Sequence, residues 1–256
     1  MSGHSKWATI KRKKGKTDAE RGRIFTKLIK DITLAARDGG GDANGNPRLR
    51  TAVLAAKGAN MPAANIDRAI KKGTGDLPGQ RYEEHTYEGY GPNGVAIFLE
   101  VMTDNKNRTT SELRHILSKA GGSMGEGGCV AWMFDQKGYI TIDRTVLTAD
   151  KLPEDKLLET ALELGADDVN TEDPETYEIY TLATELNLVL KGLEAAGITS
   201  QSAELIREPT NTIQLEEQKD AEQILKLMET LEDHDDVQKV WMNFDIPAEL
   251  MEKLDR

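Results

Sequence analysis

Hydrophobic residues in the first third of the chain recur at the spacing of an α-helix. In residues 23–37 the apolar positions fall on one face, at i, i+1, i+4, i+5 and i+8. Asn46 and Pro47 fit the cap and the first position of a second helix, and a third helix is predicted from about Pro62 to Gly73. The pattern therefore predicts a small N-terminal three-helix domain.

The periodicity changes after the glycine-rich segment 73–80, which predicts a linker between domains. Residues 84–103 predict a β-hairpin, because two strand-like runs flank "GPNG". Helices and strands then alternate to the C-terminus. The predicted helices are 107–122, 153–166, 182–197 and 216–233, and the predicted strands are 129–134, 138–143, 176–181, 202–208, 211–215 and 237–246. This order predicts an α+β multidomain protein with two small α/β sheet domains, ferredoxin-like or similar.

Composition narrows the class of protein. Of the 256 residues, 38% are hydrophobic and 30% are charged, which is typical of a soluble globular protein. No apolar run approaches the roughly 18 residues of a membrane helix. The single cysteine excludes an intrachain disulfide and favours a reducing, cytoplasmic compartment. The acid-free N-terminus also fits a mitochondrial transit peptide, although its lysine cluster lacks an amphipathic pattern.

Charge is distributed unevenly along the chain. Residues 1–76 contain 17 Lys and Arg against 7 Asp and Glu, a net charge of +10. Residues 137–256 contain 11 against 29, a net charge of -18, and the whole chain carries -11. This asymmetry indicates an N-terminal module that binds nucleic acid or another anionic surface.

The candidate nucleic-acid-binding residues lie in the N-terminal tail, on a basic face of the first helix and at the start of the second. Lys and Arg supply phosphate contacts, and the two arginines of the second helix could read bases in a groove. Trp7 fits either stacking on a base or packing on the first helix. The basic tail also fits a solvated, disordered segment. The set is Lys6, Trp7, Lys11, Arg12, Lys13, Lys14, Lys16, Arg23, Lys27, Lys30, Arg48 and Arg50. Lys71 and Lys72 fit the usual cations of a helix C-terminus.

No group of residues has the spacing of a catalytic or metal site. The four histidines are scattered, and Cys129 fits a structural thiol better than a nucleophile. The loop 121–128, "GGSMGEGG", fits a tight turn or an anion cradle but not a P-loop. Asp104, Arg108 and His115 could form a site, although turn and capping roles fit this segment better. The acidic runs at 167–168 and 233–236 fit a solvated face better than a cation site. We therefore predict no catalytic residues, no metal, no cofactor and no small-molecule substrate.

Several motifs resemble the YebC/PmpR family, which includes a mitochondrial translational activator of cytochrome c oxidase subunit one. They are "GHSKW" at 3–7, "RGRIFTKLIKDI" at 21–32, "GGGDANGNPRLR" at 39–50, "DRAIKKGTG" at 67–75, "YEGYGPNG" at 87–94, "TDNKNRT" at 103–109 and "GCVAWMF" at 128–134. The resemblance implies a helical N-terminal domain and two α/β domains, the third inserted within the second.

The resemblance also implies a function. Members are described as DNA-binding transcriptional regulators, and some as ribosome-linked translation factors. We predict domains at 1–78, at 79–135 with 209–256, and at 136–208. The predicted function is non-enzymatic regulation of transcription through DNA, the alternative being a translation factor that binds structured RNA or the ribosome with the same basic face. No membrane partner is predicted.

Overall fold

The computed structural model describes residues 18–145, 153–171, 173 and 175–254. The first three elements of this part of the chain are helices. They are α1 (Asp18–Gly39), α2 (Pro47–Gly58) and α3 (Ala63–Thr74). The Oδ1 atom of Asn46 accepts the Leu49 N–H at 3.1 Å, while its Nδ2 atom donates to Ala35 O and Gly40 O. The predicted helical N-terminal region and its Asn46 cap are therefore confirmed.

Strands and helices alternate from residue 83 onward, which confirms the α+β prediction. In chain order they are β1 (Glu83–Tyr90), β2 (Ala96–Thr103), α4 (Lys106–Lys119), β3 (Ser123–Met124), β4 (Phe134–Asp143), α5 (Glu154–Glu163), β5 (Ala166–Asn170), β6 (Thr176–Leu182), α6 (Leu186–Ala195), β7 (Ser202–Pro209), β8 (Ile213–Gln214), α7 (Gln218–Glu232), β9 (Val237–Met242), β10 (Phe244–Asp245) and α8 (Ala248–Leu254). Within the described ranges, no helix has both the length and the apolar character needed to cross a bilayer.

The described residues form two compact units. The first contains residues 18–30, 78–135 and 208–254, and the second contains residues 31–77 and 136–207. Helix α1 therefore begins in the first unit and ends in the second. The three-domain division remains a prediction.

The first unit is built on an antiparallel sheet of order β3-β1-β2-β9. Strand β9 joins this sheet although the second sheet lies between it and β3 in the sequence. Alternate residues of β2, Ile97, Leu99 and Val101, are buried together with Leu113 of α4 and Ile224 of α7. The inward-facing alternate residues of β2 and the apolar faces of the two helices thus pack together in one core.

The second unit contains a sheet of order β5-β6-β4-β7, in which β6 pairs antiparallel with both β4 and β5. Its core joins Ile140 of β4 and Ile179 of β6 to Leu157 of α5 and to Val189 and Leu193 of α6. In the same unit, α2 and α3 bury Leu49, Ala56 and Ile66, among other small and apolar residues.

The sequence pattern misassigned several short elements. Residues 131–133 form a 3-10 turn rather than the predicted strand, and β4 begins only at Phe134. The alternation there arises because Val130 and Phe134 are buried while Trp132 is exposed. The sequence pattern does not predict the strand β5 or the helix α8. Strand β5 is short and contains exposed acidic residues, and α8 lies close to the end of the chain.

Gly73 has a packing role inside α3 rather than only the turn role that its sequence suggested. A Cβ atom at this position would overlap the carbonyl oxygen of Thr33 and lie 2.7 Å from the Cβ atom of Ala36, both on α1. The hydroxyl of Thr33 also donates to Ala69 O at 3.3 Å. The absence of a side chain at Gly73 therefore allows α1 and α3 to approach closely.

The same glycine-to-alanine change should have opposite effects in two helices. Gly73→Ala should lower the free energy of unfolding by about 1–3 kcal/mol, because the new methyl group meets backbone atoms. Gly22→Ala in α1 should raise it by about 0.5–1 kcal/mol, because the new methyl group would meet no other part of the described chain within 4 Å and alanine favours the helix. Urea unfolding followed by circular dichroism measures both. Equal effects of the two changes would contradict this packing.

Candidate nucleic-acid interface

The predicted binding residues divide into two groups. Those of the N-terminal tail lie outside the described residues, so their role remains a prediction; they are Lys6, Trp7, Lys11, Arg12, Lys13, Lys14 and Lys16. The others lie on α1 and α2, where their contacts can be followed. They are Arg23, Lys27, Lys30, Arg48 and Arg50.

Two cations of α1 contact the C-terminal end of α7. The Arg23 guanidinium lies 3.1 Å from Asp233, and both side chains are partly exposed. The Lys27 ammonium donates a hydrogen bond of 2.5 Å to the carbonyl oxygen of Glu232, the last residue of α7. A cation is stabilised there by the unpaired carbonyls and the negative end of the helix dipole.

Lys30 is buried, with only 5% of its surface exposed. Its ammonium donates three hydrogen bonds, to Met102 O at 3.2 Å, to Asp235 O at 2.8 Å and to the Asp236 carboxylate at 2.8 Å. The ring of Tyr82 lies 5.3 Å from the same nitrogen. All three donors of the ammonium are satisfied, as a buried charge requires.

Asp236 is equally buried and completes this network. Its second oxygen accepts hydrogen bonds from Thr103 at 3.1 Å and from Arg108 and Thr109 at 2.7 Å each. Burial opposes ionisation of the carboxyl group, but the bonds from Lys30, Arg108 and Thr109 outweigh it and hold the pKa of Asp236 well below its usual range. Ionised Asp236 therefore joins β2, α4 and β9 to α1.

These contacts correct two predictions. The expectation of a free basic face on α1 is wrong at Lys30, because its charge is neutralised inside the first unit. The interpretation of residues 233–236 as a solvated acidic face is wrong at Asp236 for the same reason. Helical periodicity distinguished the two faces of α1 but not the presence of a partner more than two hundred residues away.

The two arginines of α2 have different environments. Both guanidinium contacts of Arg50 go to carbonyl oxygens of the preceding loop, to Ala43 at 3.2 Å and to Asn44 at 2.7 Å. Arg50 therefore holds the loop before α2. Arg48 is exposed and lies 3.9 Å from Asp31 and 3.7 Å from Asp38, both at weak ion-pair distances.

Glu112, His234 and Asp236 lie close enough together to suggest a metal site. Their hydrogen bonds indicate a different arrangement. The Asp236 N–H donates to Nδ1 of His234 at 3.1 Å, which places the ring proton on Nε2, 3.0 Å from Glu112. Both ring nitrogens and both Asp236 oxygens thus already have partners, and the cluster serves the fold.

The glycine-rich loop is closed by a carboxylate of the protein itself. Buried Glu88 accepts backbone N–H groups from Gly128 at 2.6 Å, Val130 at 2.7 Å and Ala131 at 2.8 Å. A phosphate cradle would need backbone N–H groups of this kind, and Glu88 occupies these three. The structure therefore favours the turn interpretation of this segment.

Cys129 lies in the same loop, half-buried. Burial, followed by the negative charge of Glu88, raises the pKa of its thiol. Its carbonyl oxygen accepts hydrogen bonds of 3.2 Å from the Trp132 indole and from the Tyr90 hydroxyl. An activated nucleophile needs a lowered pKa, so this environment favours a structural thiol.

Family models match both parts of the chain. The TACO1/YebC N-terminal domain matches residues 5–76, and the TACO1/YebC second and third domain matches residues 82–244. The chain belongs to the TACO1/YebC family. The predicted resemblance is therefore confirmed.

Other proteins are similar to this chain over nearly their whole length. A probable transcriptional regulatory protein of Syntrophus aciditrophicus is 58% identical over 255 residues, covering 99% of each chain. One from Desulfotalea psychrophila is 55% identical over 254 residues, again covering 99% of each chain. The crystal structure of a conserved hypothetical protein from Aquifex aeolicus is 48% identical, with a TM-score of 0.83, covering 95% of this chain and 98% of that one.

Removing either member of the buried ion pair should destabilise the protein strongly. Lys30→Met and Asp236→Asn should each lower the free energy of unfolding by about 3–5 kcal/mol, because each leaves a buried polar group without its main partner. The double variant should lose less than the sum of the two. Urea unfolding of the four proteins measures this coupling.

A matched surface change and an acid titration complete the test. Arg23→Gln, which removes the partly exposed pair with Asp233, should cost no more than about 1 kcal/mol. The folded-state pKa of Asp236 is lowered, so its stabilisation is present above about pH 4 and is lost as the pH falls through the folded pKa. Asp236→Asn should lack this acid-dependent loss. Additive losses in the double variant would contradict the coupling.

Glu88→Gln should make Cys129 more reactive. Burial remains, but the change removes the negative charge that adds to it in raising the thiol pKa, and it places an amide NH2 against N–H donors of the loop. We expect reaction with a disulfide reagent at about pH 8 to become about three- to tenfold faster, with the pH–rate midpoint at lower pH. Glu126→Gln should have a smaller effect in the same direction. An identical midpoint in wild type and Glu88→Gln would contradict the proposed environment.

Proposed function

We propose that this TACO1/YebC protein is a non-enzymatic regulator of transcription that binds DNA through its basic N-terminal segment in the cytoplasm. The observation that carries the proposal is the net charge of +10 on residues 1–76 of a chain whose total charge is -11. Relatives of 55–58% identity are named probable transcriptional regulatory proteins, which supports the regulatory part.

The charge distribution supports a defined orientation on a polyanion. Residues 137–256 carry -18 and are repelled by phosphates, so the N-terminal segment is the end that approaches nucleic acid. Lys27, Lys30 and Arg50 leave the proposed binding set, because their charged groups are bound to protein oxygens. The tail residues remain in it, together with Arg23 and Arg48, whose side chains are partly exposed.

The tail is tested by a salt titration of DNA binding. Replacing Lys11, Arg12, Lys13 and Lys14 by Ala should weaken binding similarly for all sequences. The slope of log affinity against log salt should become less steep by about three to four, because each phosphate contact releases about 0.9 counterion from duplex DNA. Fluorescence anisotropy with a labelled duplex measures both.

A control separates contact from net charge. Lys156, Lys191, Lys219 and Lys226 are exposed lysines outside the basic segment, and changing all four to Ala removes the same charge. This variant should keep the wild-type slope. An unchanged slope in the tail variant would mean that the tail only solubilises the protein. Preferential binding of structured RNA over duplex DNA at about 150 mM salt would overturn the DNA proposal.

A further inference from the structure

Three cations lie together on the exposed face of α3. Arg68, Lys71 and Lys72 are all exposed, at positions i, i+3 and i+4, so their side chains are neighbours on the helix surface. Ile66 and Ala69 are buried on the opposite face. Ala64, which precedes Arg68 by one turn, is exposed and small. The face is therefore both positively charged and sterically open.

These three side chains have no partner among the residues that the structure describes. Asp67 precedes Lys71 by one turn but forms no ion pair with it. Three other arginines of the second unit are engaged: Arg50 holds two loop carbonyls, Arg37 contacts Asp38 at 2.8 Å, and Arg48 lies near two aspartates. Among the described residues, the fold thus uses these arginines of α1 and α2 and leaves the three cations of α3 without an ion pair.

The helix dipole accounts for only part of this cluster. Lys71 and Lys72 lie in the last turn of α3, where the negative end of the helix favours cations. Arg68 lies before that turn and repels both lysines, because like charges at i, i+3 and i, i+4 destabilise a helix. Without a ligand, Arg68 is therefore an electrostatic cost to α3 that no contact in the described structure offsets.

We propose that Arg68, Lys71 and Lys72 bind backbone phosphates of nucleic acid. This inference rests on the proposed function and gives it a location on the folded part of the chain. The ligand is the phosphodiester backbone rather than base edges, because long flexible cations supply charge and the face has no exposed Asn or Gln. Duplex DNA and structured RNA share this chemistry.

The test is a salt titration of the full-length triple variant Arg68→Gln, Lys71→Gln, Lys72→Gln. The probes are a duplex DNA and an RNA hairpin of equal length, both fluorescently labelled. We expect the log–log salt slope on duplex DNA to become less steep by about 2–3, from about 0.9 per lost phosphate contact. A change on both probes identifies a shared backbone site, and a change on one probe alone identifies the type of nucleic acid that this face contacts.

The matched control is Lys156→Gln, Lys191→Gln, Lys226→Gln, which removes the same charge from exposed positions on α5, α6 and α7. Its slope should equal that of wild type. If the wild-type protein binds and the α3 variant has the same salt slope, the α3 site is overturned and the proposed function still stands. Failure of the wild-type protein to bind either probe would overturn both.

A single change separates binding from folding. Arg68→Gln should leave the thermal unfolding midpoint unchanged or raise it, because it removes repulsion within α3. The same variant should make the DNA salt slope less steep by about 0.9. A lower midpoint together with an unchanged slope would show that Arg68 serves the fold and would overturn the proposal.

Discussion

The buried ammonium of Lys30 is the constraint on which the first unit depends. A charge removed from water needs a counterion and a full set of hydrogen-bond partners. Met102 at the end of β2 and Asp235 and Asp236 before β9 supply them. Because Lys27 and Arg23 lie one and two turns earlier on α1, they reach the end of α7, which precedes the same segment.

Glu88 is a buried negative charge, and it too needs a full set of hydrogen-bond partners. Its carboxylate is buried in β1 and satisfied by three backbone N–H groups of the 128–131 segment. The loop before β4 can therefore be rich in glycine and still have a defined conformation. In both cases, groups that suggest ligand binding in the sequence are already hydrogen-bonded to another part of the chain.

The charges that the fold does not use are the more informative ones for function. Structural ion pairs account for Lys30, Asp236 and Arg108, and loop carbonyls account for Arg50. The cations of α3 have no such role, and the strongly basic tail adds to them along the sequence. An unpartnered cation can exchange its counterions for phosphates without first breaking a contact within the protein. The cations of α3 therefore indicate an interface more directly than the total charge does.

The sequence by itself determined the local elements and the chemical character of each part of this protein. Periodicity indicated α1, the β1–β2 hairpin and α7, and Asn46 marked the start of α2, because these signals arise from neighbours within one or two turns. Charge counting located the basic segment, and motifs gave the family. The strand β3, which is only two residues long, lies below the length at which a pattern can be recognised.

Only the tertiary structure decided which of the predicted binding residues are available. Lys30 and Asp236 are 206 positions apart, and a periodic pattern reports that a face is polar without reporting what lies against it. The same limit applied to Arg50 and to the loop closed by Glu88. It also applied to Arg68, whose significance depends on its forming no ion pair with any residue that the structure describes. Burial and long-range pairing are properties of the folded chain, and they separate the cations that hold this protein together from those left to meet a ligand.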